Sequence, residues 1–230
     1  IYDKMCFTVS SAGGRRGAQM GTFDVAHPDV KEFVRAKRED GRLRQFNLSL
    51  LITDEFMAAV ESDADWPLVF PVNVKEKDDV DLADPAQVVW REWPTRENYV
   101  SREDGLVACR IYGHLRARHL WDMIMVSTYD YAEPGLILID RVNEMHNNWW
   151  RENIRATNPC GEQPLLAHES CVLGSLDLPA FADARGELDW DSLGRACELG
   201  IRFLDDVLEI SLFPDPAIER ATLRTRKVGL

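Results

Sequence analysis

The chain is poor in paired cysteines, in long apolar runs and in positive charge. Its five cysteines are widely spaced and none forms a C-x-x-C pair, which argues against a disulfide framework and a zinc site and fits a reducing cytoplasm. No run of about 18 apolar residues occurs, so we expect no membrane span. Lys and Arg number 27 against 39 Asp and Glu, and the net charge of −12 disfavours nonspecific binding of nucleic acid. A small phosphorylated substrate remains compatible, because it needs only a local pocket.

The two ends lack the usual features of protein termini. The start, "IYDKMCFTV", has no initiator methionine and no signal pattern, and the end, "RTRKVGL", stops as an apolar segment begins. We therefore expect an internal piece of a longer protein, truncated at both ends. With 45% hydrophobic residues and no internal repeat, residues 1–230 predict one domain with one sizeable core.

Strand and helix patterns alternate along the chain. Strands are predicted at Met20–Val25 and Arg44–Thr53, and Thr53 can cap the helix that follows. An almost wholly apolar run at Pro134–Asp140 predicts a buried strand. Residues 73–106 are acidic and interrupted by proline, which predicts a peripheral excursion. The alternation indicates an α/β architecture, either a sheet or a barrel.

The sequence also predicts which side chains pack in the interior. Cys109 lies in a strand-like run and is interpreted as a core residue, and the Trp149–Trp150 pair as core or interface packing. Asp189 is a predicted cap for a helix on which one apolar face carries Leu193, Cys197, Ile201, Leu204 and Leu208.

The stretch "ATNPCGEQPLL" places Cys160 between Asn158 and Glu162. Pro159 and Gly161 both oppose a helix, so an extended or looped backbone is expected, and an extended one would put the three polar side chains on one face. At a substrate, such a set supplies a reactive sulfur, a carboxylate that moves a proton and an amide that orients a hydroxyl. A carboxylate beside a thiol disfavours a nucleophilic thiolate, but not a thiol that loses a hydrogen atom. A structural loop cysteine is the competing interpretation.

Several segments together resemble ribonucleotide reductases. "NPCGEQPL", followed by Cys171 in "SCVLGSLDL", is similar to the active-site signature of class II, the adenosylcobalamin-dependent type. "SSAGGRRGAQMGTFDVAHPDVKEFV", "FNLSLLITDEFM" and "WDMIMVSTYDYAEPGLILIDRVN" resemble other segments of that family, in the expected order. The resemblance covers most of the chain and is weakest between about residues 63 and 106.

The resemblance implies a fold and a set of roles. The fold would be part of a ten-stranded α/β barrel, similar to that of glycyl-radical enzymes, with a central finger loop; residues 1–230 would be its central portion, and 73–106 the peripheral excursion. Cys160 would be the thiyl-radical residue, with adenosylcobalamin as the radical source. Glu162 would act as base on the ribose 3′-hydroxyl, and Asn158 would hydrogen-bond ribose hydroxyls. Cys171 would be half of a redox-active thiol pair whose partner lies upstream of residue 1.

The glycine- and arginine-rich turn has two interpretations. As a sequence alone it is a solvated basic turn, whereas the resemblance makes it the loop between a deoxynucleotide or ATP effector site and the substrate base, with Arg16 reaching the substrate. The turn comprises Gly13, Gly14, Arg15, Arg16 and Gly17.

The implied reaction is the reduction of ribonucleoside di- or triphosphates to deoxyribonucleotides in the cytoplasm. Thioredoxin or glutaredoxin would supply electrons, and a homodimer is the assembly to test. No nucleic acid, membrane or protein-bound metal is expected.

The alternatives are a class I large subunit fed its radical by a partner, a noncatalytic nucleotide-binding regulatory copy of the fold, and a cysteine hydrolase, for which no Cys–His pairing is present. The piece alone is expected to be inactive, because half of its redox pair is missing.

Overall fold

The computed structural model describes residues 1–10, 17–38, 43–93 and 95–230. They fall into two compact units, Ile1–Pro164 and Leu165–Leu230. The helices are α1 (Tyr2–Ser10), α2 (Val30–Arg35), α3 (Asp54–Glu61), α4 (Ala117–Tyr131), α5 (Ile139–Glu144), α6 (Trp190–Ile210) and α7 (Pro216–Thr225). The strands are β1 (Gln19–Asp24), β2 (Phe46–Ile52), β3 (Asp65–Pro71), β4 (Val88–Arg91), β5 (Val107–Arg116), β6 (Gly135–Leu138), β7 (Ala156–Thr157), β8 (Pro164–Leu165), β9 (Val172–Leu173) and β10 (Val228–Gly229).

A parallel three-stranded sheet organises the first unit. Its order is β1-β2-β6, so β2 is central, with Met20 of β1 opposite Asn47 and Gly135 of β6 opposite Ser49. Parallel neighbours need a crossover connection, and α2 lies in the segment that joins β1 to β2. This confirms the predicted α/β class and the two strand predictions made from apolar patterning.

The core of the first unit forms where β2 meets the helices that follow it. Leu50 and Ile52 of β2, Phe56 of α3, and Leu120 and Ile124 of α4 are at most 1% exposed. The alternation of side chains along a strand places Leu50 and Ile52 on the same face, where they pack in one apolar cluster with the helical residues.

The helix predicted after β2 begins as expected. The Thr53 side chain accepts a hydrogen bond from the backbone N–H of Phe56 at 3.1 Å, which satisfies one of the N–H groups that a helix leaves unpaired at its start.

An antiparallel sheet of order β3-β5-β4 carries the segment predicted to be peripheral. Within 73–106 the structure has a 3₁₀ helix at Val74–Asp79 and the strand β4. Val72, Val80, Val88 and Ala108 form a small apolar cluster separate from the main core. A satellite cluster of this kind is typical of an excursion from a domain, and the domain boundary itself stays a prediction.

The second unit is built around α6. Asp189 caps this helix by accepting the Ser192 N–H at 3.0 Å, as predicted. Leu204 and Leu208 are 4% and 1% exposed, whereas Ile201, predicted on the same face, is 43% exposed. With 3.6 residues per turn, Ile201 falls at the edge of the stripe that the two leucines centre. Strands β9 and β10 pair in parallel within this unit.

One burial prediction is wrong in part, and a second loses one of its two alternatives. The run at Pro134–Asp140 is only partly a strand, and β6 lies at the edge of its sheet, so Leu136 and Leu138 are 37% and 50% exposed. The Trp149–Trp150 pair was interpreted as core or interface, yet the two side chains are 68% and 66% exposed in the chain, which removes the core interpretation.

No closed barrel is formed by the strands of the residues that the structure describes, which build small open sheets. In the same residues, no helix combines the length and the apolar character needed to cross a membrane.

Candidate active site

Cys160 lies at the tip of a hairpin turn. The Gly161 N–H donates to the Asn158 carbonyl at 2.8 Å, and the Asn158 N–H donates to the Gln163 carbonyl at 2.9 Å. Gly161 has a φ of 79°, a left-handed conformation that glycine adopts without a Cβ penalty. Of the two backbones allowed by the sequence, the looped one is therefore observed, and Asn158, Cys160 and Glu162 do not alternate along an extended strand.

The turn brings the carboxylate of Glu162 to the backbone of the cysteine. Glu162 Oε2 accepts the Cys160 N–H at 3.2 Å, and both residues are exposed. Asn158 is half-buried, and its carbonyl also accepts the Thr157 hydroxyl at 2.9 Å. Asn158 and Cys160 thus lie within one four-residue turn of the first unit, and Glu162 directly follows that turn. These are the three residues predicted to act on the ribose.

The tip borders a cavity of about 640 Å³ in the first unit. A volume of this size is typical of small-molecule sites. The tip contributes Pro159, Cys160 and Gly161 to the walls. Much of the remaining wall comes from the three strands of the parallel sheet. The lining residues on them are Met20 of β1, Asn47, Leu48 and Ser49 of β2, and Gly135, Leu136, Ile137 and Leu138 of β6.

Two residues that the sequence analysis did not select contact this region. Asn47 Nδ2 donates a hydrogen bond to the Pro159 carbonyl, which ties the tip to the central strand β2. Ser49 lies two residues further along β2, is 7% exposed and lines the same cavity. A Cβ on Gly135 would come within 2.8 Å of the Ser49 hydroxyl, so the absence of a side chain at 135 makes room for that group. The signal that could have identified them is polar residues at alternate positions in "FNLSLLIT".

Cys171 belongs to the second unit and is half-buried. Its two neighbours are held by hydrogen bonds within that unit. Ser170 donates its N–H to the Thr222 hydroxyl at 3.1 Å and its own hydroxyl lies 2.8 Å from the same oxygen. Val172 donates its N–H to the Lys227 carbonyl at 3.4 Å. The backbone on both sides of Cys171 is therefore tied to the segment at the end of α7.

A buried ion pair lies beside Cys171 in the sequence. Lys227 Nζ is 2.6 Å from Glu169 Oε2, with side-chain exposures of 11% and 0%. The same oxygen accepts the Leu166 N–H at 2.7 Å. Desolvation by burial raises the pKa of Glu169, but the Leu166 hydrogen bond and the Lys227 ammonium together lower it more, so the pKa lies below its ordinary value.

The other three cysteines are buried or half-buried. Burial raises the pKa of the Cys109 thiol to about 12, and its side chain is fully buried, which agrees with the predicted core role. Cys6 is buried in α1, and Cys197 is half-buried on α6. Among the described residues, no group of three or more His, Cys, Asp or Glu side chains could hold a metal ion.

The basic turn predicted to contact nucleotides falls largely outside the described residues. Gly13, Gly14, Arg15 and Arg16 are in the undescribed range 11–16, and Gly17 is half-buried just before β1. The predicted roles of this turn therefore stay predictions.

Comparisons with known proteins match the chain over its whole length. A family model described as ribonucleotide reductase, barrel domain, matches residues 1–230. Over its whole length the chain is 37% identical to a vitamin B12-dependent ribonucleoside-diphosphate reductase of Mycobacterium tuberculosis and covers 28% of it. It is 33% identical to a protein of the same description from Thermoplasma acidophilum, of which it covers 26%. A ribonucleoside-diphosphate reductase subunit alpha of Synechocystis sp. is 29% identical, with 30% covered. The chain thus spans less than a third of the length of these relatives.

Proposed function

The chain belongs to the ribonucleotide reductase family, and we propose that the protein containing it reduces ribonucleotides to 2′-deoxyribonucleotides with a thiyl radical on Cys160. One observation supports this most: Cys160 is exposed at a hairpin tip and lines a cavity large enough for a small molecule. A structural loop cysteine would not need access to such a cavity. We also propose that the parallel sheet and the hairpin are parts of a ten-stranded barrel and of its central finger loop.

Adenosylcobalamin is the proposed cofactor, because the relatives at 37% and 33% identity are named vitamin B12-dependent. When bound, it supplies the radical chemistry, which no amino-acid side chain can initiate alone. The chain's own fit to this role is the exposed Cys160 thiol, whose hydrogen is accessible from the cavity that the tip borders. The proposed contribution of the protein is to place and shield this thiol.

The residues of the tip would then act on the ribose in sequence. The Cys160 thiyl takes the 3′-hydrogen and becomes a thiol, while Glu162 accepts the 3′-hydroxyl proton and Asn158 hydrogen-bonds the hydroxyl groups. The 2′-hydroxyl leaves as water. Two electrons come from Cys171 and a second thiol, which together become a disulfide, and Cys160 returns the hydrogen to the 3′-carbon. Each turnover therefore consumes two thiols and regenerates the Cys160 radical.

Glu162 is suited to this role by the contact already present. One of its oxygens accepts the Cys160 N–H, so the carboxylate is held at the tip, and its second oxygen can face a substrate hydroxyl. This arrangement ties the base and the radical residue to the same turn, which limits their separation at the ribose.

The substrate and partners follow from the same family membership. We propose a ribonucleoside diphosphate, since the relatives at 37% and 33% identity carry that substrate in their names. A deoxynucleotide or ATP would act at residues 13–17, thioredoxin or glutaredoxin would reduce the disulfide, and the location would be the cytoplasm. A homodimer is the assembly that we propose to test.

The rival is a class I subunit whose radical arrives from a partner protein, and the 29% identity to a subunit alpha favours it less than the 37% identity favours the B12-dependent type. The test mixes full-length protein with adenosylcobalamin, substrate, effector and a dithiol reductant. We expect deoxyribonucleotide formation that requires the cofactor, with a matching change in visible absorbance. Turnover without cobalamin, dependent on a second subunit, would establish the rival.

A pair of cysteine variants tests the radical residue. Cys160→Ala should abolish turnover, because no other thiol occupies the tip. Cys197→Ala is the matched control, because Cys197 is half-buried on α6 and has no role in the proposal. Product formation by Cys160→Ala at the wild-type rate would exclude the thiyl mechanism.

A further inference from the structure

We propose that Asn47 is a positioning residue that holds the peptide between Pro159 and Cys160 and thereby sets the place of the Cys160 thiol over the cavity. The inference rests on the proposed function for its catalytic meaning, although its geometry is independent of any reaction. Asn47 Nδ2 donates to the Pro159 carbonyl across a sequence separation of 112 residues. A carbonyl oxygen can only accept, so the amide nitrogen is the end of Asn47 that faces it.

The peptide unit that joins Pro159 to Cys160 is bound at both of its polar atoms. Its oxygen accepts from Asn47, and its N–H donates to Glu162 Oε2 at 3.2 Å. Because a peptide unit is planar, two hydrogen bonds on opposite edges fix its orientation. The proline ring also restricts the φ angle of Pro159, which precedes this peptide unit. The Cα of Cys160 lies in this plane, so Asn47 and Glu162 together determine the point from which the Cys160 side chain starts.

The two residues that bond this peptide unit lie on different kinds of structure. Glu162 lies on the same exposed turn and moves with it, whereas Asn47 lies on β2, the central strand of the parallel sheet. Leu50 and Ile52 anchor that strand in the core at 0% and 1% exposure. Asn47 is thus the contact that joins the tip to a rigid element of the fold.

A direct substrate contact is the competing role, because Asn47 also lines the cavity. The two roles predict different kinetics. A positioning residue acts on the reacting geometry, so its loss lowers kcat by about 100-fold, as expected for a displacement of about 1 Å, and leaves KM close to wild type. A residue that binds substrate equally in the ground state and the transition state raises KM instead.

The test compares variants of Asn47 in the full-length enzyme. Asn47→Leu keeps the shape and removes the donor, and Asn47→Asp keeps the polarity but turns an acceptor toward the Pro159 carbonyl. Asn47→Gln keeps an amide donor on a longer side chain, so it should restore part of the wild-type kcat and of the slow exchange at the tip. Asn73→Leu is the matched control, because Asn73 also bonds backbone, accepting the Lys75 N–H at 3.0 Å, but sits at the start of a 3₁₀ helix.

Amide hydrogen exchange of residues 157–163 provides a readout that needs neither cofactor nor turnover. The Asn158 and Gly161 amides, which close the turn, should exchange roughly tenfold faster in Asn47→Leu and Asn47→Asp than in wild type. Exchange in the β3-β5-β4 sheet should be unchanged, which shows that the variants fold. Asn73→Leu should leave the tip as in wild type.

Each outcome decides the proposal. Faster exchange at the tip with a lower kcat and an unchanged KM supports it. Tip exchange equal to wild type in both variants overturns it, and so does a raised KM with an unchanged kcat. If wild-type protein shows no reductase activity, the proposed function fails, yet the exchange result still decides whether Asn47 fixes the tip.

Discussion

The buried pair of Lys227 and Glu169 gives a quantitative prediction. Lys227→Met removes the ammonium 2.6 Å from a carboxylate that is 0% exposed and keeps a side chain of similar length. An uncompensated buried charge costs about 3–5 kcal/mol, so the local free energy of opening around β9 and β10 should fall by that amount. In Glu169→Gln/Lys227→Met no charge is stranded and the Leu166 N–H keeps an acceptor, so we expect a loss of only about 1 kcal/mol.

The assay is amide hydrogen exchange of the full-length protein. The Val172 and Gly174 amides donate to the Lys227 and Gly229 carbonyls and report the pairing of β9 with β10. A loss of about 3–5 kcal/mol corresponds to exchange roughly 100- to 4,000-fold faster. Arg226→Met is the neighbouring control: Arg226 pairs with Asp205 at 2.8 Å and with Glu209 at 2.7 Å, and these side chains are 36% to 66% exposed, so its loss should change exchange less.

The pH dependence adds a second test of the same pair. Because the pKa of Glu169 lies below its ordinary value of 4.5, its ionised form contributes stability above pH 4.5, and this is lost as the pH falls through the folded-state pKa. Without Lys227, burial raises the pKa of Glu169. Protonation of Glu169 as the pH falls should therefore restore stability to the Lys227→Met variant. The gap between variant and wild type should therefore narrow from pH 7 toward pH 4.5. Equal losses in Lys227→Met and Arg226→Met, or a gap that does not change with pH, would refute the reasoning.

Three further predictions concern the first unit. Thr53→Ala removes the cap on the Phe56 N–H and should lower local stability in α3 by about 1 kcal/mol, measured by exchange; no loss would show that the cap contributes nothing. At pH 8, iodoacetamide should label the exposed Cys160 but not the buried Cys109, whose pKa is raised to about 12, and mass spectrometry of the two peptides distinguishes them; labelling of both at one rate would contradict the burial. Gly161→Ala places a Cβ at a φ of 79° and should destabilise the turn by about 1–2 kcal/mol, seen as faster exchange of residues 157–163.

Features set by a few neighbouring residues could be predicted from the sequence. Thr53 and Asp189 were identified as caps because capping depends on residues two or three positions away. The strands β1 and β2 followed from apolar patterning, and Pro159 with Gly161 limited the backbone around Cys160 to an extended or a looped form.

Features that depend on distant parts of the chain could not be predicted. The bond between Asn47 and Pro159 spans 112 residues, and the ion pair between Lys227 and Glu169 spans 58. Nothing local to either partner indicates the other. The exposure of Leu138 was missed for a related reason: an apolar run fits a central strand and an edge strand equally well, and only strand order distinguishes them.

The contact between Gly135 and Ser49 makes the width of the cavity depend on a single missing methyl group. An alanine at 135 would force the Ser49 hydroxyl out of its present rotamer, because the added carbon would lie 2.8 Å from its oxygen. Pairing that change with Ser49→Gly would remove the clash. Substitutions at these two positions would therefore reshape part of the cavity wall in engineered proteins, without altering any residue of the hairpin.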